Sequence, residues 1–352
     1  MTCTMTTEER EKEIRTNPVP ACSICGAKGE PLYQGLHDRL YDVPGEWGLR
    51  RCPNRDCGLI WLDPAPIAED IGKTYETYYT HAQAGQASRI KRLGQIPVLG
   101  YLRSRMGYTQ GVGPRRYGLT WPLAYLHWFG ISAVQAQAMY LPAPSEGAKL
   151  LEIGFGDARL LGEMSNMGWS VQGVDTDPVA VQNASDAGLN VACGDVREQG
   201  YPEAAFDAII MRDVLEHVLD MSGFLAECAR ILRPGGRLVA AVPNADSLGL
   251  RVFGSDWYPL DPPRHLRILT HKALRQALGS SGLSVVRLFS TCHFAFWMWR
   301  MSIWIRSPKG FMMSPIPRRI GALAYQVAER AMLMVSPFVG EQLVLVAERR
   351  TR

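Results

Sequence analysis

Two long stretches of the sequence contain no acidic residue. Between Thr77 and Ser145 there is no Asp or Glu against seven Lys or Arg, and between Pro262 and Ala328 there is none against ten. The segment between them, residues 146–261, has 18 acids and 8 bases. This uneven charge indicates either an anionic substrate or surface that meets the basic segments, or solvated bases that balance a locally acidic site.

Apolar runs of membrane-spanning length are also missing. No stretch reaches the roughly 18 uninterrupted apolar residues of a spanning helix, and no apolar run follows the charged, Thr-rich N-terminus. We therefore expect a cytoplasmic protein. The pattern of a secreted disulfide scaffold is absent too, because four of the eight cysteines are scattered along the chain, at Cys3, Cys193, Cys228 and Cys292.

The other four cysteines form two close pairs. Cys22-x-x-Cys25-Gly and Cys52-x-x-x-x-Cys57-Gly are separated by 26 residues. Thiolate pairs on glycine-bearing turns suit tetrahedral zinc, so we predict a structural Zn²⁺ in a zinc-ribbon-like module over residues 20–76. The second pair is two residues longer than the usual C-x-x-C knuckle, and four unpaired buried thiols are the alternative.

The rest of the chain divides into further regions. Residues 1–19 are expected to be a flexible N-terminus, and residues 77–145 a basic helical connector that ends in the linker LPAPSEGA. Over residues 146–291, apolar runs such as AKLLEIG, FDAIIMRD and GRLVAAVPN alternate with helical patterns, which predicts an α/β domain with a doubly wound, Rossmann-like parallel sheet. Residues 292–338 form an aromatic and basic insertion, and residues 339–352 the closing strand of the sheet.

The run LLEIGFGDARLL places Gly154 and Gly156 between a strand and a helix. A dinucleotide-binding loop would need a third glycine where this chain has Arg159, which disfavours a nicotinamide oxidoreductase. Asp175 ends the next strand, 21 residues after Gly154, close to the spacing at which an acid accepts hydrogen bonds from a ribose diol. Asp195 ends a third short segment, where it would either meet an adenine amino group or cap a helix.

These motifs together resemble the class I S-adenosylmethionine-dependent methyltransferases, over roughly residues 146–291 and the closing GEQLVLVAER. The resemblance lies in Glu152, Gly154 and Gly156 as acid-x-G-x-G, with Ala158 in place of a last glycine. The segments FDAIIMRDVLEHV and ILRPGGRLVAAVPN match the family's fourth strand and the turn into its fifth. The resemblance implies S-adenosylmethionine as the cofactor.

It also implies how the cofactor is held. Gly154 and Gly156 would let the backbone approach the methionine part, Asp175 would hold the ribose, and Asp195 with Val196 would meet the adenine. This cofactor has no pyrophosphate, so the missing third glycine matters less than in a nicotinamide enzyme. The residues implied to bind the cofactor are Glu152, Gly154, Phe155, Gly156, Asp175, Thr176, Asp195, Val196, Arg212 and Asp213.

Methyl transfer is an in-line displacement at a sulfonium methyl group, so a hydroxyl or carbon acceptor needs a base near the sulfonium. Candidates lie beyond strand C-termini, where open α/β sheets bind ligands: Glu216 and His217 after the fourth strand, and His265 in SDWYPLDPPRHL. His217 as a packing residue and His265 as a loop-bracing residue are the alternatives. Asp213-x-x-Glu216-His217 also resembles the metal site of certain quinone and small-RNA O-methyltransferases, with His265 as a fourth ligand.

The order of zinc module, connector and core resembles bacterial methyltransferases of sugars and other biosynthetic intermediates. The insertion begins TCHFAFWMWRMSIWIRSPKGFMM, whose aromatic and basic residues indicate a substrate lid or a peripheral contact with a membrane interface. We predict methyl transfer to a small or lipid-linked, anionic intermediate, with the acceptor atom and the oligomeric state left open. The rival interpretation is an RNA-modifying or nucleic-acid-binding protein, but residues 20–76 show no excess of basic residues.

Overall fold

The structure, a computed structural model, describes residues 14–75, 95–126, 130–279, 281–307 and 315–351. The predicted flexible N-terminus therefore lies outside the described residues as far as residue 13. The same holds for residues 77–94 of the predicted connector.

The N-terminal module is built from short antiparallel strands. Its strands are β1 Thr16–Asn17, β2 Glu30–Leu36, β3 Trp47–Arg51, β4 Ile60–Leu62 and β5 Ala65–Pro66, and a 3-10 helix spans Ala68–Tyr75. Strand β1 pairs with β5, and the Arg15 guanidinium lies 2.9 Å from an Asp70 carboxylate oxygen. The structure thus differs from the predicted boundary at residue 20, because residues 15–17 already pair with the module.

The core of the protein completes this module. Strand β11, Arg267–Ile268, pairs antiparallel with β4, which gives a four-stranded sheet in the order β11-β4-β3-β2. Trp47 and Ile60 of the module share one buried cluster with Phe253 and Trp257 of the core. The two regions are therefore held together by a common hydrophobic interior, which favours a fixed relative position.

The connector also contributes to the core. Its described elements are helix α1, Ile96–Met106, a 3-10 helix over Arg115–Leu126, and helix α2, Gly130–Ala136. The buried side chains of Tyr101, Leu102 and Tyr108 belong to the same cluster as Leu150 and Val346 of the central sheet. This region was expected to link two domains, and the structure shows that it covers one face of the second.

A seven-stranded sheet forms the centre of the molecule. Its strands are β6 Lys149–Ile153, β7 Ser170–Asp175, β8 Val191–Cys193, β9 Phe206–Arg212, β10 Leu232–Pro243, β12 Leu283–Thr291 and β13 Gln342–Arg349. Their order is β12-β13-β10-β9-β6-β7-β8, and β13 runs antiparallel to both neighbours while β6 to β10 are parallel. The predicted α/β, Rossmann-like sheet is confirmed.

The strands of this sheet consist mainly of consecutive apolar residues because both faces of the sheet are covered. Leu151 and Ile209 lie in the cluster on one face, and their neighbours Leu150 and Ile210 lie in the cluster on the other. The covering helices are α3 Arg159–Asn166, α4 Pro178–Asp186, α5 Met221–Ile231 and α7 His271–Ala277, whereas the buried side chains of α6 Leu248–Phe253 lie in the cluster shared with the N-terminal module. Side chains that accept a backbone N–H fix where four of them begin, at Asp177, Asp220, Ser247 and Thr270.

The predicted insertion lies between β12 and β13. It contains helix α8, Ala295–Arg306, and helix α9, Pro315–Leu333, which pack against each other. The Ser302 hydroxyl accepts a hydrogen bond from the Tyr258 backbone at 2.9 Å, which fastens α8 to the loop that follows β10 and α6. No helix in the described part of the chain has the length and apolar character needed to cross a bilayer.

Candidate functional site

The glycine loop after β6 has a backbone that requires small residues. Gly154 has φ +69°, and a Cβ there would lie 2.6 Å from Val214 Cγ2. Gly156 has φ +52° with nothing within 4 Å of an added Cβ, and Ala158 at φ +54° leads into α3. The left-handed conformations explain both glycines, and the open space at Gly156 leaves room for a ligand to approach the backbone closely.

Asp175 faces this loop from the end of β7. One carboxylate oxygen accepts the Gly156 N–H and the other accepts the Asp177 N–H, each at 2.9 Å. Burial, opposed by these backbone hydrogen bonds, raises the pKa of Asp175. Each oxygen retains a lone pair, so the geometry suits a pair of ribose hydroxyls, and Thr176 continues the same turn.

The Asp195 carboxylate, for which the resemblance implies a contact with adenine, is bound to a neighbouring arginine in the structure. Both of its carboxylate oxygens bind the Arg197 guanidinium, at 2.9 and 2.7 Å, and one also accepts the Arg197 N–H at 2.8 Å. The side chain caps a short 3-10 helix that contains the buried Val196. The capping interpretation therefore matches the structure, and an adenine amino group would share this carboxylate with Arg197.

Glu152 is the least satisfied group on the cofactor side. It is 3% exposed, and its Oε2 has no hydrogen-bond partner among the described residues. Burial raises its pKa to about 8, although the positive charge of Arg212 acts in the opposite direction. Phe155 packs against Ala180 beneath the loop. A buried carboxyl without a partner, beside an open glycine turn, fits a cofactor that carries positive charge.

A second group of polar side chains lies beyond β9. Glu216, His217 and His265 each offer one ligand atom, and these atoms lie within 4.8 Å of one another. The two imidazole rings are in edge contact, with centroids 4.7 Å apart. Asp213, which the resemblance implies as a ligand together with Glu216 and His217, is not in this group; its Oδ1 accepts a hydrogen bond from the Gln342 side chain at 3.2 Å.

Backbone carbonyls orient the two imidazoles. His265 Nδ1 lies 2.6 Å from the Pro259 carbonyl, and His217 Nδ1 lies 3.0 Å from the Arg264 carbonyl. A carbonyl oxygen only accepts, so each Nδ1 carries the proton of these bonds and each neutral ring keeps its lone pair on Nε2. Both rings are thus arranged to accept a proton or bind a metal through Nε2.

Burial favours the uncharged forms of Glu216 and His217. Neither carboxylate oxygen of Glu216 has a hydrogen-bond partner among the described residues, and the residue is 1% exposed. Its pKa is raised well above the usual value by burial and by the nearby charge of Asp213. Burial, together with His265, lowers the pKa of His217 to about 3. The cluster consequently has unused acceptor capacity that a bound ligand, proton or cation would satisfy.

The N-terminal module reaches this cluster directly, which the sequence did not predict. The Tyr75 hydroxyl lies 2.8 Å from His217 Nδ1. Arg264, beside His265, is fully buried and paired with Asp38 of the module at 2.7 Å and with Asp261 of its own loop. No sequence pattern joins residues this far apart; the only signal was a charged residue next to the candidate base in PPRHL.

The four paired cysteines also meet. Their Sγ atoms lie within 4.8 Å of one another, with Cys22 and Cys57 at 3.6 Å and Cys25 and Cys52 at 3.3 Å. A tetrahedral zinc with bonds of about 2.3 Å would hold its sulfurs about 3.8 Å apart. The longer second pair therefore does not prevent the four thiols from gathering at one point.

The central part of the chain is similar in sequence to known proteins. Residues 131–288 match the family model of a methyltransferase domain. Ubiquinone biosynthesis O-methyltransferases match at 31% identity over 156 residues in Sinorhizobium fredii, covering 41% of this chain and 63% of that protein, and at 31% over 157 residues in Methylocella silvestris, covering 41% and 61%. The one from Maricaulis maris is 32% identical over 155 residues, covering 40% and 61%.

The chain thus spans a little over three fifths of the length of these relatives. The matched region contains the glycine loop, Asp175 and the Glu216–His217 pair within one mostly parallel sheet. Residues 131–288 therefore match a methyltransferase domain, and relatives similar to this part of the chain are named as O-methyltransferases.

Proposed function

We propose that the protein transfers a methyl group from S-adenosylmethionine to a hydroxyl oxygen of a small or lipid-linked biosynthetic intermediate. The observation that carries this proposal is the group formed by the buried Glu216 with His217 and His265 beyond the carboxyl end of β9. Ligands of open α/β sheets bind at this edge, and the glycine loop opens at the same edge. The names of the relatives, O-methyltransferases, support an oxygen acceptor.

Methyl transfer to a hydroxyl group requires that the hydroxyl oxygen be held in line with the sulfonium methyl group and that one base accept its proton. The hydroxyl oxygen forms a bond to the methyl carbon as the carbon–sulfur bond breaks, and the sulfonium leaves as a neutral sulfide. The hydroxyl proton goes to a nearby acceptor, for which His265 Nε2 is the candidate because its Nδ1 proton is committed to the Pro259 carbonyl. Burial of the neighbouring His217 keeps that ring neutral, so it does not repel the incoming cationic cofactor.

The same three side chains fit a divalent cation. Two imidazoles, each with one nitrogen available as a ligand, and a buried carboxylate without a partner among the described residues form a donor set that borderline divalent ions accept. Such an ion would lower the pKa of an acceptor hydroxyl at this position. Asp213 would then remain with Gln342, as it is arranged here, instead of serving as a fourth ligand.

We also propose that Cys22, Cys25, Cys52 and Cys57 hold one structural Zn²⁺. The gathered thiols support this, and so does the position of the cluster, where Cys57 lies in the same buried cluster as Leu269 and Ala273 of the core. Its carbonyl also accepts a hydrogen bond from the Thr270 hydroxyl. A metal here would stabilise the module against the core, and through it the placement of Tyr75 and Asp38.

Methyl transfer from isotope-labelled S-adenosylmethionine tests the function. The purified chain is incubated with acceptors in matched pairs, one with a free phenolic or sugar hydroxyl and the other with that hydroxyl already methylated. We expect label only in the free-hydroxyl member, with one S-adenosylhomocysteine formed per ether. Label in an amine or carbon acceptor, with none in any hydroxyl, would contradict the oxygen acceptor, and the same reactions with chelator or added divalent ions decide whether a cation takes part.

A further inference from the structure

Helix α9 carries its apolar side chains on the outside. Ile320 is 62% exposed and Val327 is 52% exposed, and Met334 and Val335, just after the helix, are 83% and 89% exposed. Exposed Leu323, Ala324, Ala328 and Ala331 fill the positions between them at intervals of three and four residues. These positions share one helical face, so the solvent side of α9 is a continuous apolar stripe.

The inner face of the same helix is polar. Tyr325, Gln326 and Glu329 are buried there. The Tyr325 hydroxyl donates to the Glu341 carboxylate, and Glu329 Oε1 accepts the Glu341 backbone N–H at 2.6 Å. These buried hydrogen bonds fix the rotation of α9, because turning the apolar stripe inward would break them and leave their groups unsatisfied. The outward apolar face is therefore a stable property of the folded chain.

Helix α8, which packs against α9, adds aromatic and basic groups to this part of the molecule. Trp297 is 49% exposed, and the Arg300 guanidinium lies 5.8 Å from the Phe296 ring centroid and 5.9 Å from that of Trp297. Tryptophan and arginine, which combine an apolar body with a polar or charged tip, are the side chains favoured at the boundary between lipid headgroups and acyl chains.

The positive charge beside the apolar stripe of α9 indicates which kind of partner binds this surface. Glu329 is the only acid in residues 292–338, and it is buried, whereas Arg319 and Arg330 are exposed beside the stripe. A second copy docked by two-fold symmetry would bring the same positive patch against itself, which is repulsive. An anionic lipid surface complements both the charge and the apolar face.

We propose that the outer faces of α8 and α9 form a docking surface for an anionic lipid bilayer, with α9 lying in the plane of the interface. Its apolar stripe enters the headgroup region while the arginines remain among the phosphates. The inner face stays in contact with Glu341, the neighbour of Gln342, which binds Asp213. Docking would thus present the methyl-transfer edge of the sheet close to the lipid surface.

Co-sedimentation with vesicles tests the proposal on the full chain. We expect binding to vesicles that contain phosphatidylglycerol and much weaker binding to phosphatidylcholine alone. The double variant Ile320→Ser with Val327→Ser should bind roughly tenfold more weakly or worse, because two side chains no longer enter the interface. The matched control is Leu119→Ser with Leu123→Ser, two exposed leucines of the connector at 84% and 53% exposure, which should bind like the unaltered protein.

A second pair of variants separates charge from apolar contact. Arg319→Gln with Arg330→Gln should lose the preference for phosphatidylglycerol and become less sensitive to salt. Equal binding of the serine variant and the unaltered chain would overturn the proposal, and so would a dimer that buries this face and ignores vesicles. Affinity for S-adenosylmethionine should be the same in all of these variants, so failure of lipid binding is distinguishable from failure of the methyltransferase assignment.

Discussion

The cofactor side and the reaction side of this site are built in different ways. Gly154, Gly156 and Asp175 lie within one strand–loop–helix–strand unit, and the Gly156 N–H donates a hydrogen bond to the Asp175 carboxylate. The reaction side brings His265 and the Glu216–His217 pair from two separate loops, and the N-terminal module adds its own side chains. A local unit can hold the cofactor alone, whereas the reaction side depends on the relative position of module and core.

The two sides also handle charge differently. On the cofactor side Glu152 is buried and has an oxygen without a partner among the described residues, which a cationic ligand would satisfy. On the reaction side burial favours the neutral form of His217, and the buried charge of Arg264 is neutralised by Asp38 and Asp261. Changes on one side should therefore affect binding, and changes on the other should affect turnover.

The largest effect is expected where the module holds the reaction side. Asp38→Asn removes one of two carboxylates from the fully buried Arg264, so unfolding free energy should fall by about 3 kcal/mol. Urea denaturation of the variant and the unaltered protein measures this change in the free energy of unfolding. The control is Asp256→Asn, whose carboxylate forms more exposed ion pairs with Arg39 of the module and Arg306 of α8, and which should cost less than about 1 kcal/mol. Equal losses in both variants would contradict the role given to Arg264.

A smaller effect is expected on the cofactor side. Asp175→Ala removes the carboxylate that faces the glycine loop, so affinity for S-adenosylmethionine should fall by about 2 to 3 kcal/mol, with little change in the reaction-side cluster. Calorimetric titration gives the value. Asp186→Ala, at the end of the helix that follows, serves as the matched surface control and should bind normally. Unchanged affinity in Asp175→Ala would show that the ribose is held elsewhere.

The smallest effect concerns pH. Because burial raises the pKa of Glu152 to about 8, its carboxyl is mostly protonated at neutral pH, and a cationic cofactor favours the ionised form. Binding should therefore release a proton, and affinity should rise by up to about tenfold per pH unit until the pH reaches about 8. Titrations in buffers of different ionisation enthalpy detect the proton. Proton uptake, or the same release in Glu152→Gln, would refute this assignment.

The sequence predicts the cofactor side of the site well, but it predicts the reaction side, which several distant segments form, only in part. Strand β6, the glycines and Asp175 follow from apolar runs and spacing, because their partners are close along the chain. The pairing of β11 with β4 involves too few residues to leave a pattern, and Tyr75 meets His217 across 142 residues of chain. For the insertion the sequence indicates only an aromatic and basic composition. It does not predict the exposed apolar face of α9, because the periodicity of a helix does not say which face is buried.

His265→Ala, assayed for cofactor affinity and methyl-transfer rate on the same preparation, tests the central claim most directly. His265 belongs to the reaction side, and its Nδ1 lies 2.6 Å from the Pro259 carbonyl, which leaves Nε2 as the proposed proton acceptor. We predict an unchanged dissociation constant for S-adenosylmethionine and a rate lowered by roughly a hundredfold or more. A rate equal to that of the unaltered protein, or a rate and an affinity that fall together, would contradict the separation of the two sides.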